Sequence, residues 1–362
     1  MTDRSLRTAL SLRLPIIQGP MTGSDTPALA AAVSAAGGLG SLGCGMRSPA
    51  AMAEAAAEVR RRTDRPFGMN LFVQEAPAPD APTVNTALAR LAPLYAEFDQ
   101  QPAVPARWCE DFGAQFEALI SARPAVASFT FGILSAAQVE RLHAAGCTVI
   151  GTATTVAEAV AWADVGADAV CASGMESGGH RGTFLGDFAS SMIGTMALVP
   201  RCVDALAPRG MAVVAAGGIM DGRGIAAAQA LGAEAVQMGT AFLSCDESGI
   251  GPAYRQALAG ATGTDTRTTR ALTGRHARGI VNALMERLQD DEATVPPYPV
   301  QNALTGALRR ASNEAGRADY LALWAGQGVE AVRPMPAAAL MVVLEQEWKQ
   351  ACARVGAAPT AR

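Results

Sequence analysis

MAVVAAGGIMDGRGIAAAQALGAEAVQMGTAFL, residues 211–243, carries the rhythm that decides the fold. An apolar, β-branched run closes on Gly217-Gly218, Asp221 opens an Ala-rich helical stretch, Leu231-Gly232 ends it, and a second apolar run starts at Ala233. Short runs that are apolar throughout, linked by a helix, describe parallel strands buried on both faces. The unit recurs along the chain, with strands expected over 15–21, 38–43, 66–72, 125–132, 148–154, 167–174, 211–218 and 233–243. Capping or first-turn residues mark helix starts at Thr26-Pro27, Ser48-Pro49, Ser135, Thr154-Thr155 and Asp221, and glycines mark helix ends at Gly37, Gly146, Gly166 and Gly232. Eight such units in about 240 residues are the size of a (β/α)₈ (TIM) barrel.

The rhythm breaks twice. A Pro-rich stretch, 74–123, follows the third strand, and an Arg-rich helical stretch, 248–332, follows the eighth. Both leave from strand C-terminal ends, where a barrel builds its active site, so together they read as a small helical lid. Residues 1–73 and 124–247 then form the barrel, and 333–362 a C-terminal helix, over about 338–355, and a tail.

Of the 362 residues, 50% are hydrophobic and 17% charged, with a net charge of −4, which suits a large globular core and gives no basic field for nucleic acid. No apolar leader opens the chain and no run is long enough to span a bilayer, so a cytoplasmic protein without membrane attachment is expected, with a homo-oligomer left open. Seven scattered cysteines without a Cys-x-x-Cys pair read as buried apolar residues, and three histidines leave little material for a metal site. The single lysine, Lys349, lies outside every motif, which argues against Schiff-base chemistry, pyridoxal phosphate and a lysine-bearing phosphate loop. No strand end pairs two carboxylates, which argues against glycosidase chemistry.

Ala216-Gly217-Gly218-Ile219 and Gln237-Met238-Gly239-Thr240 end the seventh and eighth strands, where barrels bind phosphate through exposed backbone N–H groups. The helix opened by Asp221-Gly222-Arg223-Gly224 is expected to add its N-terminal partial charge. No Gly-x-Gly-x-x-Gly follows the first strand, so a mononucleotide is favoured over a dinucleotide, and FMN is the mononucleotide that performs redox chemistry in barrels. His180, in Gly178-Gly179-His180-Arg181-Gly182 after the sixth strand, is the candidate catalytic base, held in a loop with little packing of its own. His143 reads as a solvated helix residue and His276 as a packing residue of the lid. Asn70, ending the third strand, needs a hydrogen-bond partner that a flavin or a neighbouring loop supplies, and Met21 is expected beside the flavin ring.

The order of these motifs resembles that of the nitronate monooxygenase family, formerly called 2-nitropropane dioxygenases. Pro15 to Met21, Asn70-Leu71-Phe72, Gly178 to Gly182 and the two glycine loops carry the likeness, which continues through Gly279 to Asn282, Tyr298 to Asn302 and Leu323 to Gly328. The resemblance implies non-covalent FMN held by Asn70, Gly178, Gly218 and Gln237 to Thr240, with Gly179 and Gly217 in the same loops, and His180 as base. Where many members carry glutamine, this chain has Ser173, a shorter side chain. The implied reaction is oxidation of a nitronate by molecular oxygen to a carbonyl compound and nitrite, with His180 first deprotonating any neutral nitroalkane. An FMN- and NAD(P)H-dependent enoyl-acyl carrier protein reductase or quinone reductase, and a flavin-binding module without turnover, are the alternatives.

Overall fold

The computed structural model describes residues 5–356. Its strands in chain order are β1 (Ile16–Gln18), β2 (Gly40–Gly43), β3 (Phe67–Phe72), β4 (Val126–Thr130), β5 (Thr148–Ala153), β6 (Ala169–Ser173), β7 (Gly179–His180), β8 (Ala212–Ala216), β9 (Ala235–Met238), β10 (Thr266–Thr269) and β11 (Ala277–Ile280). All but β7, β10 and β11 form one parallel sheet in the order β1-β9-β8-β6-β5-β4-β3-β2. A parallel bridge between Ile17 and Leu39 brings its two edges together, giving the (β/α)₈ barrel. Each expected strand contains one barrel strand. The eighth is shorter than expected, because Thr240–Leu243 turns into a helix directly after β9.

Local chemistry explains the helices between these strands. Thr26, Ser48, Ser135, Thr155 and Asp221 each accept a backbone N–H of the turn that follows, at the helix starts expected from sequence. Inside the barrel, Ile17, Leu39, Val126, Ile150, Ala169 and Val214 pack with Leu6, Leu10 and Leu12, so the N-terminal segment plugs one end with apolar side chains. Towards the other end the inward residues become polar: Asn70, Thr152, Ser173 and Gln237 all face an open cavity.

One element sits differently from the sequence reading, and the expected C-terminal helix gains a place in the fold. The helix Phe112–Ala122, counted above with the lid, packs on the helix Pro49–Arg62 and on β3, where Phe116 and Leu119 join the core of Leu71 and Phe129. The C-terminal helix Ala337–Gly356 lies between the helices Gly222–Ala230 and Pro27–Ala35 and fully buries Leu340, Met341 and Leu344, each worth about 1.5–3 kcal/mol. It completes the outer layer after the long excursion that follows β9.

That excursion and residues 81–96 share one core, in which Leu91, Leu94 and Tyr95 pack against Leu272, Leu284, Met285, Val300, Leu304 and Tyr320. The lid also contains a small antiparallel sheet, β10-β11-β7, whose third strand is the His180 segment. Among the described residues no helix is long and apolar enough to cross a membrane.

Candidate active site

Met21, Asn70, Ser173, Gly178, Gly179, His180, Gly217, Gly218, Gln237, Met238, Gly239 and Thr240 all line one cavity of about 460 Å³ at the C-terminal ends of the barrel strands. That volume lies within the range of about 300–1,000 Å³ typical of cofactor and small-molecule sites.

One side of the cavity is backbone. Gly217 and Gly218 have φ of 116° and 70°, values a side chain strains to adopt, and a Cβ on Gly178 would stand 2.5 Å from the Gly326 nitrogen. Thr240 Oγ1 accepts the Gly326 N–H at 3.0 Å, and the Glu176 carbonyl accepts that of Gln327 at 3.0 Å, so the 326–328 segment is tied into the cradle. Glu176 is the carboxylate nearby, but it turns to the start of the helix Thr195–Leu206, accepting Thr195 N at 3.0 Å and Thr195 Oγ1 at 2.8 Å. The helix after β8 contributes less than expected. Asp221 fills its N-terminus with its own carboxylate, Gly222 N donates to Glu347 on the C-terminal helix at 3.2 Å, and residues 221–224 do not reach the cavity.

The rim at β1 to β3 is braced from beneath. Buried Asp25 accepts Met21 N and Gly43 N at 2.7 Å each and pairs with Arg47 at 3.1 Å, so one carboxylate fixes the Met21 turn against the end of β2. Burial outweighs these bonds and raises its pKa to about 6. Asn70 Nδ2 donates to Ser128 Oγ at 3.0 Å, a partner on the next strand rather than a loop backbone. The Ser173 hydroxyl lies 3.1 Å from that of Ser177.

The opposite side is made of side chains. His180 is not in a free loop. Residues 179–180 pair with Arg278 and Ala277 of β11, and the imidazole packs among Trp324, Phe131 and Tyr298 at centroid distances of 5.3, 5.4 and 5.6 Å. Phe131 holds φ at 78°, a strained value for a bulky residue, at the point where it meets this cluster. His180 Nε2 lies 2.9 Å from Thr273 Oγ1, which is itself 3.2 Å from the Arg275 carbonyl. That carbonyl only accepts; when the threonine proton goes to it, Nε2 is the donor and Nδ1 keeps the free lone pair. Burial first, then the Arg275 and Arg309 guanidinium groups, pushes the His180 pKa down to about 3, which keeps the ring neutral with its lone pair free but lowers its basicity.

Arginines hold the segment that carries His180, and they do so through carbonyls. Arg181 donates to Ser173 O, Gly174 O and Ser191 O at 2.8–2.9 Å, Arg275 to Arg181 O and Thr183 O, and Arg278 to Met175 O at 3.2 Å. These direct partners are neutral; the carboxylates of Glu158 and Glu176 act on the three guanidinium groups only through space. His143 pairs with Asp168 on the barrel exterior at 2.9 Å, and His276 stacks on Phe188 at 3.6 Å outside the cavity.

The sequence reading assigned no site role to Thr273, Tyr298, Asn302, Arg309 or Trp324, all lid residues on the cavity wall. No spacing rule flags them. Tyr298, Asn302 and Trp324 fell inside stretches that carried the family likeness, which is the one signal they gave. No group of His, Cys, Asp and Glu suited to a metal ion occurs among the described residues.

A parallel barrel with a glycine-lined wall at the ends of β8 and β9, and a desolvated histidine in the same cavity, has the architecture of a barrel enzyme with its site at the C-terminal strand ends. Comparison with known proteins gives the family. The nitronate monooxygenase model matches residues 4–347, and the chain belongs to that family. It is 45% identical to the nitronate monooxygenase of Pseudomonas aeruginosa, covering 96% of this chain and 99% of that one, and 42% identical to a probable nitronate monooxygenase of Staphylococcus haemolyticus, covering 90% and 91%. Among solved structures, nitroalkane oxidase from Streptomyces ansochromogenes superposes with a TM-score of 0.89 at 39% identity, covering 96% of this chain and all of that one. FabK from Thermotoga maritima superposes with a TM-score of 0.74 at 31% identity, covering 97% of each. The chain is an oxidoreductase of the nitronate-oxidising kind.

Proposed function

We propose that the protein binds FMN non-covalently and uses it to oxidise alkyl nitronates with molecular oxygen to a carbonyl compound and nitrite. The observation that carries this reading is the meeting, in one cavity, of a glycine cradle for a phosphate with a neutral, desolvated histidine. The cradle suits the group: a Cβ at Gly178 or Gly217 would stand within 2.7 Å of protein atoms, and φ at Gly217 and Gly218 disfavours any side chain, so this wall stays main chain, the kind of surface that receives a phosphate. Gly178, Gly217, Gly218, Gly239 and Thr240 would hold the phosphate end. Met21, Asn70, Ser173, Gly179, Gln237 and Met238 would line the ring and its chain. When bound, FMN supplies the electron acceptor and the reaction with oxygen.

The protein's own part is proton transfer, orientation and exclusion of water. His180, neutral and held by Thr273, removes the α-proton of a nitroalkane, while Phe131, Tyr298 and Trp324 keep bulk water from the ring. A nitronate has already lost that proton and bypasses the step. Oxygen consumption by wild type and His180→Asn, at matched FMN content, tests the assignment. Turnover of a neutral nitroalkane falls by about 10²–10⁴-fold, the usual general-base contribution, and turnover of its matched nitronate falls far less. Equal losses on the two substrates would show that His180 orients ligands and does not move the proton.

A further inference from the structure

The lid delivers to the cavity a cation, Arg309, that no carboxylate among the described residues pairs with. Arg309, on the helix Gly306–Glu314, lines the cavity with Asn302, Tyr298 and His180. Its Nη2 donates to the carbonyl and to the side-chain oxygen of Asn302 at 2.7 and 2.8 Å, while its Nε is buried without a partner. The groups that favour its charge are the phenols of Tyr298 and Tyr95, and neighbouring Arg310 opposes it; no carboxylate takes part. Two other arginines differ. Arg275 spends its guanidinium on two carbonyls and stacks on Phe131 at 4.2 Å, and Arg47 pairs with Asp25.

A buried guanidinium facing a cavity with unused donors is unfavourable unless an anion completes it. With both Nη2 protons directed at Asn302 and Nε out of reach, Nη1 is the donor left for an anion, and a small planar oxyanion such as carboxylate, nitrate or the O–N–O end of a nitronate suits it. We propose that Arg309 is the substrate-binding residue that receives the anionic oxygens of the nitronate and makes the cavity prefer the anion over the neutral nitroalkane. The nature of the anion rests on the function proposed above; the anion site itself does not.

The placement also couples Arg309 to His180. The guanidinium depresses the basicity of the imidazole, and an anion on the guanidinium offsets that effect, so His180 regains proton affinity as negative charge develops on the substrate.

The test uses FMN-loaded wild type, Arg309→Met and Arg309→Lys, with FMN content and Tm measured first. Nitrate, planar and inert, is titrated against chloride at equal ionic strength by calorimetry. Wild type binds nitrate, and Arg309→Met binds it at least about tenfold more weakly, the loss expected for a charge-assisted contact. Arg309→Lys recovers part of the binding. In turnover the Met variant's nitronate KM rises in the same proportion, while KM for the neutral nitroalkane moves less than about threefold, because a neutral molecule has no full charge to lose. Nitrate binding that is equal in wild type and Arg309→Met, or equal KM changes for both substrates, overturns the proposal. Arg309-dependent nitrate binding in a protein that consumes no nitronate supports the anion site and removes the proposed activity.

Discussion

At the ends of β8 and β9 the cavity wall is main chain, fixed by residues a few positions apart: Gly217 and Gly218, then Gly239 and Thr240. Beside it, beyond the end of β6 and reaching Phe131 after β4, the wall is side chains drawn from far along the sequence, with His180 resting on Thr273, 93 residues away, and on Tyr298 and Trp324. The first wall is neutral and its geometry is set by backbone torsion. The second is dry and aromatic, and its geometry is set by the docking of the lid. Anchoring and chemistry are therefore built separately, and one can be disturbed without the other.

The sharpest break is expected in the cradle. Gly218→Val forces a β-branched residue into φ 70° and crowds the Glu176 side chain, 3.4 Å from the new Cβ, so the cradle backbone must shift. Strain of this kind is about 1–3 kcal/mol, so FMN affinity falls by roughly tenfold or more, measured by fluorescence of released flavin, while the aromatic wall keeps its near-ultraviolet circular dichroism. Unchanged affinity would mean the phosphate lies elsewhere.

A smaller effect is expected on the other side. Thr273→Val removes the hydroxyl that orients His180 but leaves the cradle intact, so FMN retention holds and nitroalkane turnover drops by about 3–10-fold, the net worth of one hydrogen bond. Nitronate turnover changes less. The pH profile sharpens the same comparison. With its pKa at about 3 against an ordinary 6.5, His180 is already neutral in the free enzyme between about pH 5 and 8, so kcat/KM for a nitroalkane has no His180 inflection there. The folded state excludes a proton that the unfolded chain takes up below 6.5, so this group's contribution to stability is lost as pH falls from 6.5 towards 3. The Tm of His180→Asn accordingly falls less steeply on acidification than that of wild type. Parallel Tm curves, or an inflection near 6.5 that the variant lacks, would show that His180 is better solvated than its surroundings indicate.

The contrast also explains what sequence could reveal. Strand–turn–helix units are local, so Asp221, Thr26 and Ser135 mark their helices and Gly217-Gly218 marks its loop without knowledge of anything distant. His180 was legible because glycines surround it at a strand end. Its pairing with β11 was not, since a two-residue strand has no periodicity and its partner lies about a hundred residues on. Arg309 and Thr273 look like ordinary helix and turn residues until the lid folds over the barrel. The helix Phe112–Ala122 was misread for the same reason, because its apolar face is compatible with either the lid or the barrel, and only packing on β3 decides. Ala337–Gly356 was recognised as a helix, but its position in the outer layer depends on the length of the insertion before it.

Which reductant the bound cofactor accepts separates nitronate oxidation from NAD(P)H-dependent reduction most directly. FMN-loaded protein is mixed without oxygen, in separate experiments, with an alkyl nitronate and with NADPH, and the flavin absorbance near its visible maximum is followed. Loss of that absorbance with the nitronate and none with NADPH, followed by recovery of the oxidised spectrum and release of nitrite when oxygen is admitted, is the predicted result. Rapid bleaching by NADPH with no response to the nitronate would contradict it and assign the barrel to NAD(P)H-dependent reduction.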